Sequence, residues 1–163
     1  MAESAHATDL LRVAHPFAST VNQLEIFLVK NSFRRVAPIA DQAAALFYAR
    51  LFDLDPSLRP LFRGDLVEQG RKLMHLIGIA VGTLDEFNVI LPTLRRLGAR
   101  QAASGVREDH YATIGAALLW TLEKGLGPSF TPEVKAAWST TYATVANAMI
   151  EGARQSELTP STR

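Results

Sequence analysis

Leu46-Phe47-Tyr48-Ala49-Arg50-Leu51-Phe52-Asp53-Leu54-Asp55-Pro56-Ser57-Leu58-Arg59-Pro60-Leu61-Phe62 is the stretch whose reading decides the fold. Its first half continues a helical pattern: Ala43, Leu46, Phe47, Arg50 and Leu51 recur three and four residues apart, with no glycine or proline between them. Asp55-Pro56 then opens a new turn. Asp is a good cap, and Pro at the first helical position gives up only an N–H that has no partner there. The pattern predicts a helix over 39–53, followed by a short helical turn that carries Leu58, Leu61 and Phe62.

The same reading extends outward in both directions. A helix over 22–35 is expected, with Leu24, Phe27, Leu28 and Phe33 on one face, ended by Pro38. Arg63-Gly64-Asp65 breaks the chain and caps a helix over 66–82, whose stripe is Leu66, Leu73, Ile77, Ala80 and Val81, reaching Leu84 just past its end. Asp85 starts another through Phe87, Ile90, Leu91, Leu94 and Leu97, stopping near Ser104-Gly105. A helix over 107–124 follows, with Ile114, Ala117, Leu118 and Leu122 inward, and Gly125 and Gly127-Pro128 terminate it. Thr131-Pro132-Glu133 is a start signal for a last helix carrying Val134, Trp138, Tyr142, Val145 and Met149. Hairpin dipeptides and period-two runs are lacking, so the fold class is all-α, with seven or eight helices. One domain over 21–153 is expected, between flexible tails at 1–20 and 154–163.

Composition narrows the function classes. The chain has 163 residues, 48% hydrophobic and 20% charged, with a formal net charge of +1, so no electrostatic pull toward nucleic acid or an anionic membrane is expected. It has no cysteine, which removes disulfides, thiolate metal sites and thioether attachment of a cofactor. The opening residues lack the basic-then-apolar pattern of a signal peptide, and cytoplasmic residence is the expectation. No His-Glu-x-x-His pair and no Gly-x-Ser-x-Gly elbow is present, so no independent catalytic site is read.

The stretch 46–62, Glu68-Gln69-Gly70-Arg71-Lys72-Leu73-Met74, Val106 to Tyr111, Gly115 to Leu119, and Phe130-Thr131-Pro132-Glu133 before Ala136-Ala137-Trp138 together resemble bacterial single-domain globins, flavohaemoglobins and neuroglobin, in order and spacing. The resemblance implies the globin fold, a three-over-three helical sandwich. It implies haem b as cofactor, and oxygen or another diatomic gas as ligand. Tyr48 falls at the distal-pocket tyrosine, Gln69 at the distal position of the E helix, Leu73 above the ring, and Phe62 at the phenylalanine that wedges against the porphyrin. Lys72, with Arg71, would meet the propionates. Val106 and Tyr111 belong to the proximal side. On the residues alone, Tyr48 and Phe62 read equally well as core, and Gln69 as a solvated helix residue.

The resemblance also places Gln101 where the family has its proximal histidine. A carboxamide is a poor iron ligand beside imidazole. His110 is a weak substitute, because the family commonly has a histidine there besides the ligand. His75, six residues after Gln69, is turned by a net ~240° from it and should point away. The family's supporting glutamate would fall near Gln155, so oxygen activation by a strong proximal donor is not expected. Three readings follow: a haem globin with atypical ligation; a haem-free sensor or interaction module; or a globin that holds a linear tetrapyrrole (bilin) non-covalently. A separate reductase or signalling partner is implied only by the corresponding reading.

Overall fold

The structure, a computed structural model, describes residues 21–158. The chain forms six α-helices: α1 (Gln23–Val36), α2 (Ala40–Leu54), α3 (Leu66–Gly82), α4 (Phe87–Ala103), α5 (Glu108–Leu126) and α6 (Pro132–Leu158). Short 3-10 segments, Ala37–Ile39, Pro56–Leu61, Leu84–Glu86 and Gly127–Ser129, join them, and no strand occurs among the described residues. The expected tail at 1–20 lies outside the described residues. At the other end α6 continues through Leu158, so residues 154–158 extend the helix.

The starts of α1, α3, α6 and the Pro56–Leu61 turn follow from local chemistry. Asn22 accepts from the Glu25 N–H at 2.8 Å while Glu25 accepts from the Asn22 N–H at 3.2 Å, a reciprocal capping box. Asp55 accepts from the Ser57 N–H at 3.0 Å, Asp65 from the Val67 N–H at 2.9 Å, and Thr131 from the Val134 N–H at 3.2 Å. Asp85 does not cap α4. It lies within a 3-10 turn and pairs with Lys30 at 3.2 Å, and α4 begins two residues later.

The face of α1 differs from the sequence reading. Leu24 and Phe27 are 66% and 62% exposed, and the buried residues are Ile26, Val29, Ser32 and Val36. Two apolar stripes run along this helix, and tertiary contact selects the one with β-branched residues. That stripe joins Val81, Leu84, Leu122, Val134 and Trp138 in the largest core cluster. The Trp138 indole N–H donates to Ser32 Oγ at 2.8 Å, and Ser32 Oγ donates to the Leu28 carbonyl at 2.7 Å. A second cluster gathers Phe47, Tyr48, Leu51, Leu58 and Ala117 between α2 and α5, and a third joins Ile90, Leu94 and Ala148 between α4 and α6. Between the second and third clusters the interior is open.

Candidate functional site

The opening is a cavity of about 210 Å³. α2 supplies Phe47 and Tyr48, α3 supplies Leu73 and Leu76, α4 supplies Leu97 and Gln101, and side chains of α5 and α6 form the back. Of the residues singled out from sequence, Tyr48, Phe62, Leu73, Gln101, Val106 and Tyr111 all line it.

Gln69 and Lys72 do not. The Gln69 side-chain amide donates to the Arg63 carbonyl. Only four residues, 62–65, link the Pro56–Leu61 turn to α3, so this carbonyl lies within the reach of Gln69 and takes its amide. Lys72 is exposed and pairs with Glu68 at 3.9 Å, while Arg71 pairs with Asp41 at 3.6 Å. Exposed pairs of this kind hold their partners weakly, so both cations stay exchangeable.

Tyr48 is 5% exposed and set in an aromatic cluster. Its ring centroid lies 5.3 Å from Phe47, 5.6 Å from Phe62 and 6.0 Å from Phe52, in edge and stacked geometries that fix the phenol. Its hydroxyl has no hydrogen-bonding partner among the described residues, and the same holds for the Tyr111 hydroxyl and the Gln101 side chain. Burial pushes the pKa of Tyr48, Tyr111 and Tyr142 upward, so all three remain neutral phenols and hydrogen-bond donors. The Tyr48 and Tyr111 donors are available to a ligand that carries acceptors.

Tyr142 and Met149 also line the cavity and were not singled out from sequence as site residues. They continue the α6 stripe that begins with Val134 and Trp138, and nothing local shows where that stripe passes from core to cavity. The Tyr142 hydroxyl donates to the Tyr111 carbonyl at 2.5 Å. The ring fits because residue 115 is glycine: a Cβ there would lie 2.6 Å from Tyr142 Cε1. Gly115→Ala is therefore expected to displace the ring, break the Tyr142–Tyr111 hydrogen bond and cost about 1–3 kcal/mol of stability, readable as a lowered urea midpoint.

Among the described residues no histidine lines the cavity. His110 is buried, and its Nδ1 accepts from the Arg107 N–H at 2.9 Å at the start of α5. His75 is exposed on α3. Among the described residues no three His, Asp or Glu side chains cluster as a metal site. The lining suits a flat apolar ring and offers it uncharged hydrogen-bonding groups, and it does not suit an iron that needs an imidazole.

Helices packed in this order around a cavity walled by α3 and α4 define an all-α helical sandwich with an internal pocket. Residues 45–149 match the family model described as Globin, and the chain belongs to the globin family. It is 32% identical over 139 residues to neuroglobin from Danio rerio, covering 77% of this chain and 87% of that protein. A neuroglobin from Chaenocephalus aceratus is 29% identical over the same coverage. Among solved structures, a bacterial globin from Campylobacter jejuni superposes with a TM-score of 0.76 at 20% identity, covering 85% of this chain and 100% of that one. A hexacoordinated haem protein from an anhydrobiotic tardigrade superposes with a TM-score of 0.76 at 17% identity, covering 85% and 97%. The all-α globin fold expected from the sequence is the fold observed. No single helix among the described residues is long and apolar enough to cross a membrane.

Proposed function

We propose that this globin binds a tetrapyrrole in the cavity between α3 and α4, with Gln101 standing at the position from which the family ordinarily ligates iron. The observation that carries the reading is the lining itself: an apolar slab with Tyr48, Tyr111 and Gln101 presenting unpartnered hydrogen-bonding groups to it. Globins ordinarily bind haem and small gases, so haem is the first candidate. Haem, when bound, supplies an iron that can take a diatomic gas. The chain's own contribution is to hold the ring between Leu73 on one wall and Leu97 on the other, to exclude water, and to aim the Tyr48 phenol into the pocket. Arg71 and Lys72 are exchangeable partners for carboxylates at the rim.

A second reading is favoured by one specific feature. With an amide at residue 101 and no imidazole in the lining among the described residues, ring contacts supply nearly all the affinity, so an open-chain tetrapyrrole loses nothing that haem retains. Attachment would be non-covalent, because the chain has no cysteine.

The test is an absorption titration of ligand-free protein with haemin and, separately, with biliverdin. A band that saturates at one pigment per chain with either supports the proposal and identifies which pigment fits. If neither changes its spectrum in the presence of folded protein, the tetrapyrrole reading fails and a ring-free interaction module becomes the better account.

A further inference from the structure

Gln101 lies on α4, which carries one wall of the cavity, and that helix is attached to α6 by contacts of an unusual closeness. A Cβ placed on Gly98 would fall 1.9 Å from the Met149 carbonyl oxygen, and a Cβ placed on Gly152 would fall 2.0 Å from the Arg95 carbonyl oxygen. The two contacts are reciprocal: each helix presents a glycine to the backbone of the other, and both glycines are buried. Helix backbones approach this closely only where side chains are absent, and every neighbouring side chain then gains contact. The contact is reinforced on both sides. Ile90, Leu94 and Ala148 form a core cluster across the same interface, and Arg95 pairs with Glu151 at 3.2 Å.

α3, the opposite wall, is packed through side chains. Gly70 and Val81 are its buried residues, and a Cβ on Gly70 would fall 2.8 Å from the Ala44 side chain, where the glycines of α4 and α6 meet backbone. It is joined to the preceding turn by residues 62–65, where Gly64 has φ of +91°. The cavity of about 210 Å³ is smaller than the roughly 300–1,000 Å³ of pockets that enclose a drug-sized ligand, and an outward shift of one wall would enlarge it toward a tetrapyrrole.

We infer that α4 is the fixed wall, pinned to α6 through Gly98 and Gly152 in the absence of any ligand, and that α3 is the wall that shifts to admit one. The pin substitutes for a metal–ligand bond: protein contact alone holds the helix that carries Gln101. Gly98 and Gly152 are thus positioning residues for the cavity. The second half of this inference rests on the tetrapyrrole reading, and the first half does not.

Hydrogen exchange of the ligand-free wild-type protein, resolved by peptide mass spectrometry, tests the pin directly. The α4 amides are expected to be protected like those of the middle of α6, and the α3 amides to exchange faster. Gly98→Ala and Gly152→Ala are each expected to speed exchange in α4 by about tenfold or more while α1, α2 and α5 keep their protection. Gly82→Ala, where a Cβ would meet nothing within 4 Å, should leave α4 unchanged. A general loss of stability would speed every helix alike. If α4 in the wild-type protein exchanges as fast as α3, or if Gly98→Ala leaves its protection intact, the pin is overturned; should the variants fail to fold, the wild-type comparison still decides. With haemin added, slowed exchange is expected mainly in α3, and slowing confined to α4 would overturn its role as the fixed wall. No slowing in any helix counts against the tetrapyrrole reading and leaves the ligand-free result standing.

Discussion

Gln101→His is expected to raise the affinity of the protein for haemin by more than about 100-fold, because even groups that merely support an axial ligand are worth 10- to 100-fold. The wild-type amide offers iron a weak oxygen donor and an essentially non-basic nitrogen. An imidazole at the same place would project from α4 into the cavity that Gln101 already lines. The pinned α4 would need no rearrangement to present it. The measurement is a pair of haemin titrations, wild type and variant, followed at the Soret band. Equal affinities in two folded proteins would mean that residue 101 does not face the iron, and the proposed correspondence with the family's proximal position would fall.

Trp138→Ala should be the most costly single truncation in the protein, at about 3–5 kcal/mol. Trp138 is 2% exposed and stands in the largest core cluster with Val29, Val36 and Ala137. Phe33 packs against it with ring centroids 6.5 Å apart. Removing the indole leaves a large void and also deprives Ser32 Oγ of the N–H that donates to it. Trp138→Phe should cost less, since it keeps most of the buried area and forfeits mainly the hydrogen bond. Urea unfolding followed by far-ultraviolet circular dichroism reads both. A loss below about 1 kcal/mol for the alanine variant would show that α1 and α6 close over the gap, and that this cluster does not anchor the sandwich.

How much of this was legible in the sequence depends on the range of the interaction involved. Helix starts are written locally: an oxygen on Asn22, Asp55, Asp65 or Thr131 finds an N–H two or three residues on, and no tertiary information is needed. Which side of α1 is covered is not local. Leu24 and Phe27 form as good a stripe as Ile26 and Val29, and only the packed neighbours choose. In the site, Tyr48, Phe62, Leu73 and Gln101 were readable through the order of motifs shared with globins, and the structure brings them to one cavity. Gln69 was not, because a four-residue link gives its amide a backbone carbonyl in place of the pocket. The pin at Gly98 and Gly152 was invisible for another reason. A glycine within a helix reads locally as a loss of about 1 kcal/mol, and its use appears only when a second backbone lies against it.

The central claim is that a ring bound in this cavity is held without an imidazole. Magnetic circular dichroism of haemin-loaded wild-type protein, beside Gln101→His, tests it most directly. A wild-type spectrum without low-spin, histidine-ligated features is expected, with imidazole ligation appearing in the variant. A low-spin histidine-ligated spectrum in the wild type would contradict the claim, because a histidine outside the described lining would then have to enter the pocket.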